Sequence, residues 1–371
     1  MAIKVVGLDI GSTAVRGVEL KPGKNGRLNL LRYHEVALPQ GAVSRGEVLD
    51  PEIVSSALKK LWSDGKFKSK SVVLGTGNQR ILVRDLSVPK MSLKHIRESL
   101  PFHVQSMLQI PLEDALLDFY PVSKSSGEHG NTINGLLIAA EKTEILGNIR
   151  ATERAGLTPV EVDLIPFALN RLLVQRPQVK GTIALVDIGG NTTSVIIANH
   201  GVPLFVRIIP AGGEDLTRGL MSGLEITYEK AEDLKRTLRY SLTPADDNES
   251  NSMTAPCACP RCMAEFTSAN DSRAIEVLQT VTGELLSSLR STVNYFNNTR
   301  SEEPVVQVLL TGGGAHLSGL AKSLGEMTHT PVNIVDPFEL MTISRQLKSN
   351  KSQGSDASLS VALALALRSQ K

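Results

Sequence analysis

Cysteine is nearly absent from this 371-residue chain: there are three, all between Cys257 and Cys262. Outside that segment a disulfide framework is excluded, and the usage fits a reducing, cytoplasmic setting. Charge of one sign is lacking too. Forty basic against thirty-eight acidic residues leave a net +2, which gives no electrostatic reason to expect nucleic acid. Long hydrophobic runs are missing. No stretch approaches the ~18 apolar residues of a membrane span, and the apolar tail Leu359 to Leu367 is too short. The apolar start of the chain is interrupted by Asp9 and lacks a small-residue cleavage site, so it does not read as a signal peptide. There is no Ser-His-Asp pattern and no P-loop. Gly75-Thr76-Gly77 lacks the third glycine of a dinucleotide fingerprint.

What the chain does have is a duplication. Val6 to Thr13 runs through Asp9-Ile10-Gly11-Ser12-Thr13 into a second apolar segment, Ala14 to Leu20. Far downstream, Leu185 to Thr193 runs through Asp187-Ile188-Gly189-Gly190-Asn191-Thr192 into Ser194 to Ala198. Each reads as strand, glycine turn, strand. Phosphate oxygens need backbone N–H groups brought close, and glycine turns allow that approach. Gly11, Ser12 and Thr13, and Gly189, Gly190, Asn191 and Thr192, have the right composition. Asp9 and Asp187 stand at the strand ends, where a carboxylate suits a hydrated Mg²⁺. Arg16 lies one residue pair further on as a candidate phosphate cation. One such hairpin is as readily a plain β-turn. Two matched ones predict phosphate-binding turns facing each other across a cleft.

The rest of the chain reads as α/β. Asp50 and Pro51 open a helix with the apolar positions Ile53, Val54, Ala57, Leu58 and Leu61. Residues 84–162 read as a compact β-α-β-β-α-β insertion, in which Pro101 kinks the first helix or marks its start. A helix is expected from Thr227 to Tyr240, an exposed insertion over 241–273, and a long helix over 273–298. The strand Val305 to Leu310 leads into Gly312, Gly313 and Gly314, a turn against which a ligand ring or phosphate can lie, before a helix near His316. Glu232 and Lys235 share one helix face, as an ion pair would. For Cys257, Cys259 and Cys262 three readings stay open: a zinc site completed by Asp271, a water or a second chain; an oxidisable dithiol; or exposed thiols.

Hairpin, insertion, hairpin, Glu-x-x-Lys helix and triple-glycine turn, in that order, resemble the superfamily of actin, heat-shock chaperones, sugar kinases and FtsA. Three stretches narrow the resemblance to the PilM family of type IV pilus assembly proteins: Ile110 to Phe119, Val202 to Arg207, and Leu310 to Leu320. The resemblance covers nearly the whole chain. It implies an actin-like (ribonuclease H-like) two-lobed fold with four subdomains: 1–83, 163–180 and 340–371; the insertion 84–162; 181–215 and 299–339; and 216–298. It implies ATP with Mg²⁺ near Asp9 and Asp187. Phosphates would lie in the cradle of the two turns. Glu232 and Lys235 would stand near ribose or adenine, and Gly312 to Gly314 near adenosine. The implied partner is the cytoplasmic N-terminal peptide of the membrane protein PilN, bound beside the insertion. Other pilus platform and motor proteins follow, as does self-association, all at the inner face of the membrane. One departure matters. The family's water-handling Glu is matched here by Ile165, with Asp163, two residues earlier, as the candidate substitute. An aliphatic side chain cannot orient water, so the chain is expected to bind ATP with slow or absent turnover. A small-molecule kinase or an FtsA-like filament former are the alternatives.

Overall fold

The structure is a computed structural model that describes residues 5–23, 27–108, 110–127, 130–237, 269–343 and 356–370. In chain order the first lobe opens with β1 (Val6–Ile10), β2 (Ala14–Pro22), β3 (Leu28–Ala37) and the small hairpin β4 (Val43–Ser44) and β5 (Glu47–Val48). Helix α1 (Pro51–Asp64) and β6 (Ser71–Thr76) follow. Asp50 caps α1 by accepting from the backbone N–H groups of Glu52 and Ile53, both at 3.0 Å. Val54, Leu58 and Leu61 turn inward from that helix, while Ile53 stays largely exposed.

The insertion holds β7 (Leu82–Pro89), α2 (Leu93–Val104), β8 (Ala115–Gly127) and β9 (Gly130–Glu141). The strands pair in the order β7-β9-β8. Ile96, Leu100 and Val104 of α2 cover one sheet face against Val88, Phe119, Ile133 and Leu137. Pro101 lies inside α2, in its last turn, and does not mark the start of the helix; having no N–H, it makes no bond to the Arg97 carbonyl. Then come α3 (Lys142–Arg154) and β10 (Thr158–Leu164). Both were expected inside the insertion, and both belong elsewhere. β10 pairs in parallel with β6, Asp163 opposite Gly75, and α3 packs against α1. An apolar strand has the same period whichever sheet receives it, so spacing alone placed the boundary about twenty residues too late.

The first sheet has the order β10-β6-β1-β2-β3-β16, the last being Met341–Ile343. Short helix α4 (Ile165–Asn170) leads through a π-turn, Arg171–Gln175, to the second lobe. Its sheet is built from β11 (Thr182–Ile188), β12 (Thr193–Asn199), β13 (Val202–Ile209), β14 (Val305–Thr311) and β15 (Val332–Ile334), in the order β13-β12-β11-β14-β15. The duplication seen in the turns therefore extends to whole sheets: an antiparallel three-strand meander, then parallel strands beyond its first member. Helices α5 (Gly213–Leu224) and α6 (Tyr228–Thr237) pack with the first half of α7 (Ala269–Thr299) in a separate helical core, while the second half of α7 and α8 (Leu320–Thr328) pack on the second sheet. Helix α7 begins earlier than expected, and the expected helix near His316 is a single 3₁₀ turn followed by α8. The left-handed Gly319 separates the two.

The apolar tail becomes α9 (Ser360–Ala366), buried along its whole length. With Phe167, Ala168 and Leu169 of α4 it joins the two lobes in one core, which also takes Val18 and Val73 from the first sheet and Leu185 and Leu309 from the second. The insertion meets that core through Tyr120, whose ring lies 5.1 Å from Phe167 edge-on. It meets the second lobe where its strands lie against β13 and Val122 packs on the second core, and through Asp85, 3.0 Å from Arg300.

Candidate nucleotide site

The two glycine turns are closed by the same hydrogen bond. The Gly11 N–H donates to the Ala14 carbonyl at 3.0 Å, and the Gly189 N–H to the Thr192 carbonyl at 2.9 Å. They also meet. A Cβ at Gly190 would stand 2.4 Å from Ser12 Oγ and 3.5 Å from the Thr13 methyl. Any side chain at Gly190 would fill the gap between the turns, so this glycine is a matter of space.

Asp9 and Asp187 stand one residue before the ends of β1 and β11. Burial pushes the Asp187 carboxyl up to about 7, and repulsion from Asp9 adds to it, against the pull of Arg16. Burial likewise raises Asp9 above its ordinary value, with Arg16 opposing. Two hard oxygen donors that resist ionising side by side fit a divalent cation, which would relieve both the burial and the repulsion. The surrounding hydroxyls and amide of Ser12, Thr13, Asn191 and Thr192 suit a hydrated Mg²⁺. Arg16 is already engaged: it lies 3.5 Å from Asp9 and also pairs with Glu35. It neutralises the carboxylates; the geometry does not place it as a free phosphate cation.

The second hairpin is held from two sides. From α5, the N–H groups of Gly213 and Glu214 donate to the carbonyls of Gly189 and Gly190, at 3.0 and 2.8 Å. From β14, Gly312 adopts a φ of +87°, and a Cβ there would sit 2.5 Å from both Asp187 Oδ1 and the Ile188 carbonyl. Only glycine suits both the angle and the space. Gly314 packs on Ile188, while Gly313 has nothing within 4 Å of its missing Cβ and faces open space.

Glu232 and Lys235 form the expected pair, at 2.6 Å. It is not a solvated one. Lys235 Nζ also donates to Thr217 Oγ1 at 2.8 Å and to the Gly213 carbonyl at 3.1 Å. Burial raises Glu232, but hydrogen bonds from Lys235, Arg236 and Thr217 outweigh it and hold the carboxylate below its ordinary value. The pair thus fixes the start of α5 and, through it, the second turn.

A cavity of about 210 Å³ opens where the turns meet. Ser12, Thr13 and Asn191 line it, opposite Gln40, Ser44 and Tyr228. Glu214 and Arg218 of α5 complete the wall. Tyr228 donates to Glu214 at 2.7 Å, and burial together with that bond keeps the phenol protonated. Sequence reading missed Gln40, Ser44, Glu214, Arg218 and Tyr228. Only Glu214 carried a signal, standing directly after the Gly212-Gly213 turn; the others lie in a loop and on helices with no distinguishing spacing.

Ile165 and Asp163 are near the same end of the first sheet. Ile165 lies over the backbone of Gly75 and Gly77, 2.9 and 3.0 Å from where their Cβ atoms would be. Asp163 pairs with Arg171, and Arg368 stands 3.7 Å from its other oxygen. Both Asp163 oxygens thus face guanidiniums. Cys257, Cys259 and Cys262 lie outside the described residues. Among the described residues, no group of three or more His, Cys, Asp or Glu is arranged to hold a metal.

Duplicated sheets with facing glycine turns define an actin-like fold, with a buried carboxylate pair at its candidate site. A family profile described as "Type IV pilus assembly protein PilM" matches residues 7–246. The chain belongs to that family. It is similar over its full length to a chain of the PilM-PilN type IV pilus biogenesis complex, with a TM-score of 0.82, 26% identity and 100% of each chain covered. A second profile, of cell division protein FtsA, matches residues 184–364. FtsA of Bacillus subtilis (strain 168) is 22% identical over 362 residues, covering 90% of this chain and 78% of that protein. MreB 5 of Spiroplasma citri, solved bound to AMPPNP, shares the fold, with a TM-score of 0.52, 14% identity and coverage of 98% and 95%.

Proposed function

We propose that this protein is a nucleotide-loaded scaffold of the type IV pilus assembly platform. It captures the cytoplasmic N-terminal peptide of a PilN-type membrane protein and works through that partner at the inner face of the membrane. The observation that carries the partner is the end-to-end likeness to a chain of the PilM-PilN complex. Peptide capture beside a small sheet-bearing module is physically ordinary.

ATP is the ligand that the facing turns suit. Gly11 to Thr13 and Gly189 to Thr192 would hold its phosphates, with Asp9 and Asp187 taking Mg²⁺ through water. Bound there, the ion would neutralise charge on phosphate and carboxylates alike. Turnover is slow or absent on this reading, because Ile165 cannot orient water and Asp163 is tied to Arg171. Calorimetric titration of the protein with the PilN N-terminal peptide tests the partner, and no binding at ~100 μM overturns it. Single-turnover hydrolysis at ~1 s⁻¹ or faster would overturn the slow-turnover reading.

A further inference from the structure

The β4–β5 hairpin is too short to hold itself in place. It has two residues per strand, Val43 opposite Val48 and Ser44 opposite Glu47. Arg45 at φ +51° and Gly46 at +85° make the tight two-residue turn. Such a hairpin takes its position from what it leans on: Val43 and Val48 are buried in the core of the first lobe with Leu38, Val54 and Ala151, and its two ends meet two further places. Val43 and Ser44 wall the cavity where the glycine turns meet. The tip rests on the neck of the insertion: a Cβ at Gly46 would come 3.1 Å from the Asn78 Cβ, and the Gly46 carbonyl accepts from Asn148 Nδ2 at 3.5 Å.

That neck is a single polar knot. The chain enters the insertion through Asn78 and Arg80, just before β7, and leaves it through Glu141 and Glu144, at the end of β9 and in the first turn of α3. Asn78, nearly fully buried, donates to Glu144 and accepts from the Arg80 N–H at 3.0 Å. Arg80 spans both exit carboxylates, 3.1 Å from Glu141 and 3.2 Å from Glu144. The two crossings are therefore tied to each other and to the hairpin tip. On the α3 side the fit is loose: the bond to Asn148 is long, and the buried Asn148 Oδ1 has no partner.

We propose that the β4–β5 hairpin is a mechanical relay, which transmits filling of the cavity to the neck of the insertion and so sets the angle at which the insertion stands on the first lobe. The proposal rests on the nucleotide reading of the cavity and adds the route by which occupancy reaches the partner-binding module. A ligand that pushes on Val43 or Ser44 moves Gly46 against Asn78, because the turn between them is rigid. Asn78 passes the displacement to Glu144 and Arg80, hence to both strands that carry the insertion.

The test is hydrogen exchange by mass spectrometry on the full chain, with and without saturating Mg²⁺ and a non-hydrolysable ATP analogue. In the wild-type protein, exchange should slow at least ~3-fold in peptides spanning the two glycine turns and in those spanning 76–82 and 141–148. Two variants should keep the protection at the turns and lose it at the neck. Gly46→Ala strains the left-handed tip against Asn78; Arg80→Ala, at a half-exposed side chain, unties the neck by removing the cation that pairs with Glu141 and Glu144 and also attracts Glu47 of β5, and leaves the hairpin turn unchanged. Protection of the turns with none at the neck, or variants whose necks respond like the wild type, overturns the relay and leaves the nucleotide site standing. No protection at the turns in the wild-type protein overturns the nucleotide reading and the relay together.

Discussion

Glu144→Gln gives the sharpest reading of the neck. Burial raises the Glu144 carboxyl from 4.5 to about 7, with Arg80 pulling it down and Glu47 and Glu141 pushing it up. A displacement of that size links folding to protonation by about 3 kcal/mol at most. Arg80 is half exposed and brings water to one side of the pair, so the expected effect is ~1–2 kcal/mol. The sign follows from the folded value lying above the unfolded one. The contribution is complete below pH 4.5 and is lost as pH rises through about 7. Glutamine cannot titrate. It also turns an amide toward Arg80, so the variant loses stability at every pH and only its pH dependence is diagnostic. Thermal melts at pH near 5 and near 8 should show the wild-type protein losing ~1–3 °C more than Glu144→Gln across that interval. Asp187, also pushed up to about 7, titrates in both proteins and cancels. Parallel losses in the two proteins would refute a raised Glu144 and the tightly buried neck with it.

Other outcomes follow from the cleft. Gly312→Ala places a methyl 2.5 Å from the Ile188 carbonyl at a φ of +87°, which should cost ~1–3 kcal/mol and weaken binding of a fluorescent ATP analogue at least ~10-fold; normal affinity would remove this turn from the site. Asp187→Asn removes the repulsion with Asp9, so the metal-free protein should melt higher while Mg²⁺-dependent nucleotide binding falls. A chelator titration separates the two effects, and unchanged Mg²⁺ dependence counts against the carboxylate pair as the ion's seat. Ile165→Glu returns a carboxylate to the end of the first sheet. Single-turnover hydrolysis should rise at least ~10-fold, and no rise would locate the block elsewhere than Ile165.

The repeated Asp-Ile-Gly turns were legible because the constraint is local: strand, glycine turn and strand are written within fifteen or so residues, twice. Their meeting at Gly190 and Ser12 was inferable from the duplication alone. Helix α1 was legible for the same reason, with Asp50 and Pro51 marking its start. The insertion's far boundary was not. Val162 and Leu164 show the alternation of a strand, and nothing in that pattern says whether the partner is β9 or β6. Glu232 and Lys235 were placed on one face by their spacing. Their inward turn onto Thr217 and Gly213 depends on α5, which lies earlier in the chain and carries no mark of the contact. The loop at 38–44 escaped notice because its role comes only from what the fold sets opposite it.

The two halves of the cleft are not held alike, and the difference bears on how occupancy would be read. The second turn is fixed by two N–H groups of α5, by the Gly312 turn and, behind α5, by Lys235. The first turn has fewer supports: the Leu38 N–H donates to the Thr13 carbonyl at 2.8 Å, Arg16 grips Asp9 and Glu35, and Ser12 rests on Gly190. A ligand entering between them meets a stiff wall on one side and a softer one on the other. Motion on binding goes where the restoring force is weaker, which is the first lobe and the segment running from Leu38 into β4 and β5. That segment touches the neck of the insertion. The insertion also contacts the second lobe through Asp85 and Arg300, an exposed pair worth little energetically. That pair is one part of a broader contact, because β7, β8 and β9 also lie against β13 and Val122 packs on the second lobe's core. Arg300→Ala should therefore leave nucleotide affinity unchanged and loosen only the edge of the contact, which faster exchange around Asp85 would report; a drop in nucleotide affinity would instead place the control of the cleft in the second lobe.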